Sequence, residues 1–297
     1  MKDKLDQIRE SAEADLSIFI KLVAPHLMLG AIHEELINWW TRSEAKNNQL
    51  VLLPRGHMKS KLVAYRTAWW ITKYPETTIL YVSATADLAE KQLYAIKQII
   101  DSPIYRRYWP EMIHPEEGKR EKWAVSEIAV DHPQRKLEGI RDATCKAVGL
   151  TSNTTGFHAD VVVLDDIVVP GNAYTEDGRD KVASAYSQLA SIENPGAYEW
   201  VVGTRYHPKD IYDTMVAMKE TIYTADVNGD GFTDILAGNW GHNCKLWAGK
   251  NGPVKLYVKD FDKNGSVEQV LAYTINGKQY SFLAKDELER SLPVLKK

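Results

Sequence analysis

The strongest constraint on this chain is a series of short, nearly uninterrupted apolar segments spaced by helical stretches. "QLVLLP", "TTILYVSAT", "KAVGL", "ADVVVLDDIVV" and "YEWVVGT" are the apolar segments. "KSKLVAYRTAWWITKY", "ADLAEKQLYAIKQIIDS" and "DGRDKVASAYSQLASI" are helical stretches between them. A strand with one wet face alternates apolar and polar residues, whereas a continuously apolar strand is covered on both faces. Strands of that kind joined by helical crossovers predict an α/β fold: a mostly parallel sheet with helices on both faces. "KWAVSEIAV" reads as one further strand. Residues 4–24 and 31–45 read as amphipathic helices ahead of the sheet, so 1–48 is a helical lead-in and 49–219 the α/β domain. Beyond about residue 220 the chain turns glycine- and asparagine-rich, with short β-type runs and no helix before "AKDELERSL". Residues 220–297 are therefore a separate β-rich segment.

Composition excludes some functions. The net charge is −3, and the segment from Glu220 carries ten acids against ten bases, so the excess lies upstream. No global basic character marks a nucleic-acid binder, and any such contact must come from local clusters. Two cysteines, Cys145 and Cys244, cannot build a disulfide framework and lack zinc-ligand spacing. The charged N-terminus lacks a signal-peptide core, and no run of about 18 apolar residues exists. No membrane span is expected, and the first two thirds read as cytosolic.

Three strand ends carry the chemistry. In "LVLLPRGHMKSKL", residues 50–62, a strand runs into a helix through Pro54, Arg55, Gly56, His57, Met58, Lys59 and Ser60. A phosphate loop places backbone N–H groups at a helix N-terminus, with a lysine for the β and γ phosphates and a hydroxyl for Mg²⁺. The usual consensus has glycines where Met58 and Leu53 stand here, so the loop alone reads first as a plain strand–turn–helix with a surface lysine. Gly56 remains to allow a turn, and Arg55 offers a guanidinium to the γ phosphate. "VVVLDD" ends a buried strand in Asp165 and Asp166, the first suited to Mg²⁺ and the second to polarising water; the alternative is a turn or N-cap acid. "YEWVVGTRYHPKD" ends a third strand in Gly203, Thr204 and Arg205, where a hydroxyl and a guanidinium can sense a γ phosphate, or merely form a turn. Ligands of open α/β sheets bind at the carboxyl ends of strands.

Taken in order, "LLPRGHMKSK", "TILYVSAT", "TTGFHADVVVLDDIV" and "VVGTRYHPKDIY" closely resemble the ATPase half of tailed-phage large terminase subunits, over roughly residues 15–218. A Walker A variant with an early arginine and no second glycine is distinctive of that family. The resemblance implies a P-loop ATPase using ATP and Mg²⁺ to move double-stranded DNA. A portal, a small terminase subunit and a homo-oligomeric ring are its implied partners, in the host cytoplasm. By position, Arg55, Lys59 and Ser60 match the loop, Asp165 the Walker B acid, and Asp166 the place of a catalytic glutamate. Gly203 and Thr204 match the coupling motif, and Arg205 is a candidate finger or sensor. Adenine contacts would fall in "PHLMLGAIHEEL". The family's RNase-H-like nuclease half has no counterpart after residue 220, so DNA cleavage is not expected.

The tail repeats one template. "DVNGDGFTD" and "DFDKNGSVE" place oxygen donors at alternate positions around a glycine bend, a spacing that suits Ca²⁺. The donors would be Asp226, Asn228, Asp230, Asp234 and the Phe232 carbonyl. A weaker second set is Asp260, Asp262, Asn264, Glu268 and the Ser266 carbonyl. Acidic β-turns that bind nothing are the alternative. The position-12 glutamate of an EF-hand is absent, and the loops resemble FG-GAP/VCBS propeller repeats, which usually belong to exported proteins. One blade cannot close a propeller, so a fusion or misjoined gene product is one reading of the whole chain. A calcium-binding adhesion or scaffold protein with a degenerate P-loop domain is another, and a helicase-like DNA ATPase a third.

Overall fold

A computed structural model describes residues 4–43, 45–154, 156–222, 255–259, 268–275 and 278–281. The chain divides into two units, Met1–Ala225 and Asp226–Lys297.

The first unit is built on a seven-stranded sheet. In chain order its strands are β1 (Asn48–Leu52), β2 (Ile79–Ser83), β3 (Glu127–Ile128), β4 (Cys145–Gly149), β5 (Ala159–Asp165), β6 (Glu193–Gly203) and β7 (Glu220–Ile222). They lie side by side as β3-β4-β2-β5-β6-β1-β7. Every pairing is parallel except β3 with β4. The helices are α1 (Lys4–Ala14), α2 (Leu16–Val23), α3 (Ala31–Thr41), α4 (Lys59–Lys73), α5 (Ala86–Ile100), α6 (Pro103–Tyr108), α7 (Pro133–Leu137), α8 (Pro170–Ala173), α9 (Glu176–Leu189) and α10 (Ile211–Met218).

Continuous apolar strands bury both faces, as their composition requires. Val51, Tyr81, Val161, Val163, Trp200 and Val202 enter one core with Phe19, Leu62 and Leu93. Their neighbours Leu50, Leu80, Val162, Leu164 and Val201 enter the other, with Val182, Leu189 and Met215. Each fully buried aliphatic side chain of this kind is worth roughly 1.5–3 kcal/mol.

Several elements differ from the sequence reading, each for a local reason. The helix expected over 4–24 is two helices, because the Asp15 carboxylate accepts from the Ser17 and Ile18 N–H groups at 2.7 and 3.0 Å and caps α2. The lead-in is not separate from the sheet. Leu16, Phe19, Ile20, Leu36 and Trp40 join the first core, and the Trp69 indole donates to Ala12 O at 3.0 Å. "KWAVSEIAV" supplies only the two residues of β3, since Ala124 N–H donates to Glu127 O and Ala129 N–H to Lys122 O, folding the segment into a turn. β7 pairs with β1, so residues 220–222 belong to the first unit rather than to the tail.

In the second unit β8 (Lys255–Lys259), β9 (Glu268–Ile275) and β10 (Lys278–Ser281) form an antiparallel sheet in the order β10-β9-β8. The first calcium template, Asp226 to Asp234, lies outside the described residues, as do Asp260, Asp262, Asn264, Ser266 and the helix expected at "AKDELERSL". Glu268 alone of those donors is described, opening β9 opposite Lys259.

Candidate functional site

Parallel strands share one carboxyl edge, and the sheet register aligns the candidate residues along it. Leu52 pairs with Gly203, Val202 with Asp165, and Asp165 with Ser83. Because β6 lies between β1 and β5, Gly203 and Thr204 stand between the loop after β1 and the acids after β5.

The loop at 53–58 turns through two left-handed residues, Gly56 at φ 85° and Met58 at φ 50°. Met58 occupies the place of the consensus glycine and also its conformation. A non-glycine residue there is strained, and the partial burial of the Met58 side chain against the first core compensates. Lys59 and Ser60 open α4, a 15-residue helix with no side-chain cap on its first turn. Its leading N–H groups are therefore open to an anion, with the helix dipole behind them. The His57 ring contacts its own loop, its Nδ1 3.2 Å from Arg55 O.

Segments more than a hundred residues apart meet here. Ser60 Oγ donates to Asp165 Oδ1 at 2.7 Å, across 105 residues of sequence. Tyr81 OH donates to Asp165 Oδ2 at 2.9 Å. Lys59 Nζ lies 3.3 Å from Asp166 Oδ1, with only 6% of the lysine side chain exposed. Asp166 itself is held at a left-handed φ of 48°. Its Oδ1 is buried without a hydrogen bond, the lysine being within ion-pair distance but not aligned as a donor.

Burial dominates the electrostatics of Asp165. Desolvation pushes its carboxyl from 3.8 up to about 6, helped by the charge of Asp166. Hydrogen bonds from Ser60 and Tyr81 and the charge of Lys59 pull the other way and lose. Burial first, then Asp165, likewise raises the Tyr81 phenol well above its ordinary value, so it stays a donor. The hydroxyl of Ser60 and the carboxylate of Asp165, hydrogen-bonded to each other beside a helix N-terminus, form a pair of hard-oxygen donors. That pair fits Mg²⁺.

The third strand end is tied to the loop. Leu53 N–H donates to Gly203 O at 3.2 Å, and Thr204 Oγ1 donates to Leu53 O at 3.1 Å. Gly203 is required by space: a Cβ there would stand 2.2 Å from the Tyr212 hydroxyl. Arg205 does not join the group. Its Nη2 donates to Pro208 O at 2.7 Å and to Asp213 at 3.3 Å, and its Nε lies 3.6 Å from Asp210. The guanidinium closes its own turn and is not brought to the loop and the acids. The neighbouring Tyr206 faces the loop instead, its hydroxyl accepting from Arg55 Nε at 2.8 Å.

The segment expected to meet adenine borders the same loop. His33 in α3 accepts from Gly30 N–H at 3.0 Å. Burial first, then the charge of His57, holds its imidazole below the usual range.

Over 141 residues, 48% of its length, the chain is 26% identical to the large terminase subunit of Enterobacteria phage T3. The match spans 22% of the T3 protein's own length. The crystal structure of the HK97 bacteriophage large terminase aligns with 75% of the chain and 45% of its own, at 14% identity and a TM-score of 0.47. A point mutant of the Thermus phage P74-26 large terminase ATPase domain aligns with 66% of the chain and 72% of its own, at 15% identity and a TM-score of 0.39. Scores this low decide nothing; the fold is given by the sheet itself. No protein-family model matches the chain.

Three site residues were not found from the sequence: Tyr81, Tyr206 and Tyr212. Tyr81 had a signal, a polar tip in the otherwise aliphatic strand "TILYVS". Its link to Asp165 depends on strand pairing, which spacing does not encode. Tyr206 and Tyr212 had none.

Among the described residues no helix is long and apolar enough to cross a membrane, and no cluster of three or more His, Cys, Asp or Glu side chains is placed to hold a metal.

Proposed function

We propose that residues 1–225 are an ATP-hydrolysing motor domain of the large-terminase type, acting on double-stranded DNA in the host cytoplasm. On this reading a portal, a small terminase subunit and other copies of the chain are its partners. The observation that carries it is the meeting of Ser60 with Asp165 at 2.7 Å and Lys59 with Asp166 at 3.3 Å, at an uncapped helix N-terminus. The similarity to the T3 large subunit supports the same reading.

Each residue then has a task. The amides opening α4 and the Lys59 ammonium bind the β and γ phosphates. Without nucleotide, Lys59 is neutralised by Asp166. A triphosphate draws the ammonium to itself and leaves Asp166 free to accept a proton. Ser60 and Asp165 would hold Mg²⁺, which offsets charge on the phosphate oxygens when bound. The water oxygen bonds to the γ phosphorus and the bond to the β,γ-bridging oxygen breaks. The electron pair leaves with ADP, and the water proton passes to Asp166. Arg55 stabilises charge on the γ phosphate. Thr204, bonded to Leu53 O, ties the loop's state to β6 and to the turn that follows it.

Phosphate release from Mg-ATP tests the proposal. Asp166→Asn should lower turnover by about 10² or more, the usual worth of a positioned base, and Lys59→Ala by at least as much. Wild-type turnover in both variants would contradict it. For the tail, calcium binding rests on the spacing of Asp226, Asn228, Asp230 and Asp234 alone. Calorimetric titration with Ca²⁺ should give heat that Asp230→Asn abolishes, and no heat in the wild type would end that reading.

A further inference from the structure

Arg55 is the one exposed cation of the phosphate loop aimed at the strand end beside it, and its partner there is fully specified. The Tyr206 hydroxyl accepts from Arg55 Nε at 2.8 Å, and the guanidinium carbon stands 5.6 Å from the centre of the Tyr206 ring. One aromatic side chain thus holds both the in-plane N–H and the face of the guanidinium. Only Nε is spent in that hydrogen bond. The two terminal amino groups, the fork that grips a phosphate bidentately, are not used by it.

Tyr206 is itself held in place. Its backbone N–H and that of His207 donate to Asp210 Oδ2 at 3.2 and 3.3 Å. Asp210 is buried to 2% exposure. Arg205 clamps the same turn through Pro208 O and the Asp210 carboxylate. The turn begins at Thr204, whose hydroxyl is bonded to the loop at Leu53. Tyr206 therefore stands on a braced turn that leaves the strand between the phosphate loop and the acids.

We propose that Tyr206 is a positioning residue for ATP hydrolysis, holding Arg55 by Nε and ring face so that its free fork meets the γ phosphate. The inference rests on the ATPase reading of the site. An unheld arginine on an exposed loop loses rotamer freedom during the reaction. One already fixed loses less, so the benefit falls in the chemical step more than in ground-state binding.

The test is a double-mutant cycle on the full chain with Mg-ATP, following kcat and KM by phosphate release. Tyr206→Phe keeps the ring and removes the acceptor. It should lower kcat by about three- to tenfold, in the range of one hydrogen bond to a charged group, with KM changed less than twofold. Arg55→Ala should cost more. In the Arg55→Ala background, Tyr206→Phe should have no further effect, because its action passes through the arginine. A purely structural tyrosine would instead lower kcat by the same factor in both backgrounds, and that result overturns the proposal. So does a Tyr206→Phe enzyme with wild-type kcat. Absence of turnover in the wild type would overturn the ATPase reading and this inference with it. Turnover without coupling between Arg55 and Tyr206 overturns the inference alone.

Discussion

Asp165 sets two opposing requirements against each other. In the magnesium-binding role proposed for it, it must be ionised, yet burial raises its carboxyl to about 6. In the nucleotide-free protein the folded state holds this proton more tightly than the unfolded chain, whose value is near 3.8. Between those values the folded form binds more protons, so raising the pH costs stability until the carboxyl has ionised, roughly 3 kcal/mol in all. Asp165→Asn should therefore be more stable than the wild type near neutral pH, and its denaturation midpoint should fall less than the wild type's as pH rises from about 4 to 6. Denaturant melts across that range check this, and an unstable Asp165→Asn would contradict it. Met58 gives a second prediction. Met58→Ala keeps the strained left-handed φ and loses the packing, whereas Met58→Gly loses the same packing but relieves the strain, so the alanine variant should be the less stable, by up to about 1 kcal/mol. Lys59, Ser60, Asp165 and Asp166 were legible in the sequence because each ends or follows a recognisable element. The direction of Arg205 was not legible, because a guanidinium next to a coupling motif has no spacing that reveals whether it turns outward or back to Asp210 and Asp213.

Strands and helices of the sheet were legible because continuous apolar runs admit few other structures. Their lateral order was not, since a parallel strand pairs equally well by composition with any covered neighbour. The insertion of β6 between β1 and β5 is the case that matters, because it brings Gly203 and Thr204 to the loop. Gly203→Ala should push into the Tyr212 hydroxyl and destabilise by about 1–3 kcal/mol, the usual cost of overpacking; an unchanged midpoint would contradict the close approach. The break at Asp15 was present in the sequence as an N-cap residue before an apolar run, and helical periodicity on both sides hid it. Lys219, just before β7, pairs with Glu199 of β6 at 2.6 Å, both nearly buried. Lys219→Met should cost about 3–5 kcal/mol by removing the cation from a buried carboxylate that would keep the Tyr186 hydroxyl at 3.3 Å but no compensating charge from Lys219. The double replacement with Glu199→Leu should recover most of it, as chemical melts of the three variants would report.

At the scale of the molecule, the change of composition near residue 220 was readable, but it preceded the structural division by the length of β7. Pairing of 220–222 with β1 draws the end of the first unit past the point where the sequence changes character. All candidate residues of the nucleotide site lie within Met1–Ala225. The chain cut after Ala225 should accordingly keep the nucleotide-induced rise in melting temperature of the full chain, about 5–10 °C at a ligand concentration of roughly 100 Kd. Loss of that rise on truncation would mean the second unit contributes to binding. The most direct measurement is calorimetric titration of the full chain with Mg-ATPγS. A single site per chain, lost in Lys59→Ala, is the predicted result. No heat in the wild type, or the same heat in Lys59→Ala, would contradict a triphosphate site between residues 54–60 and 165–166.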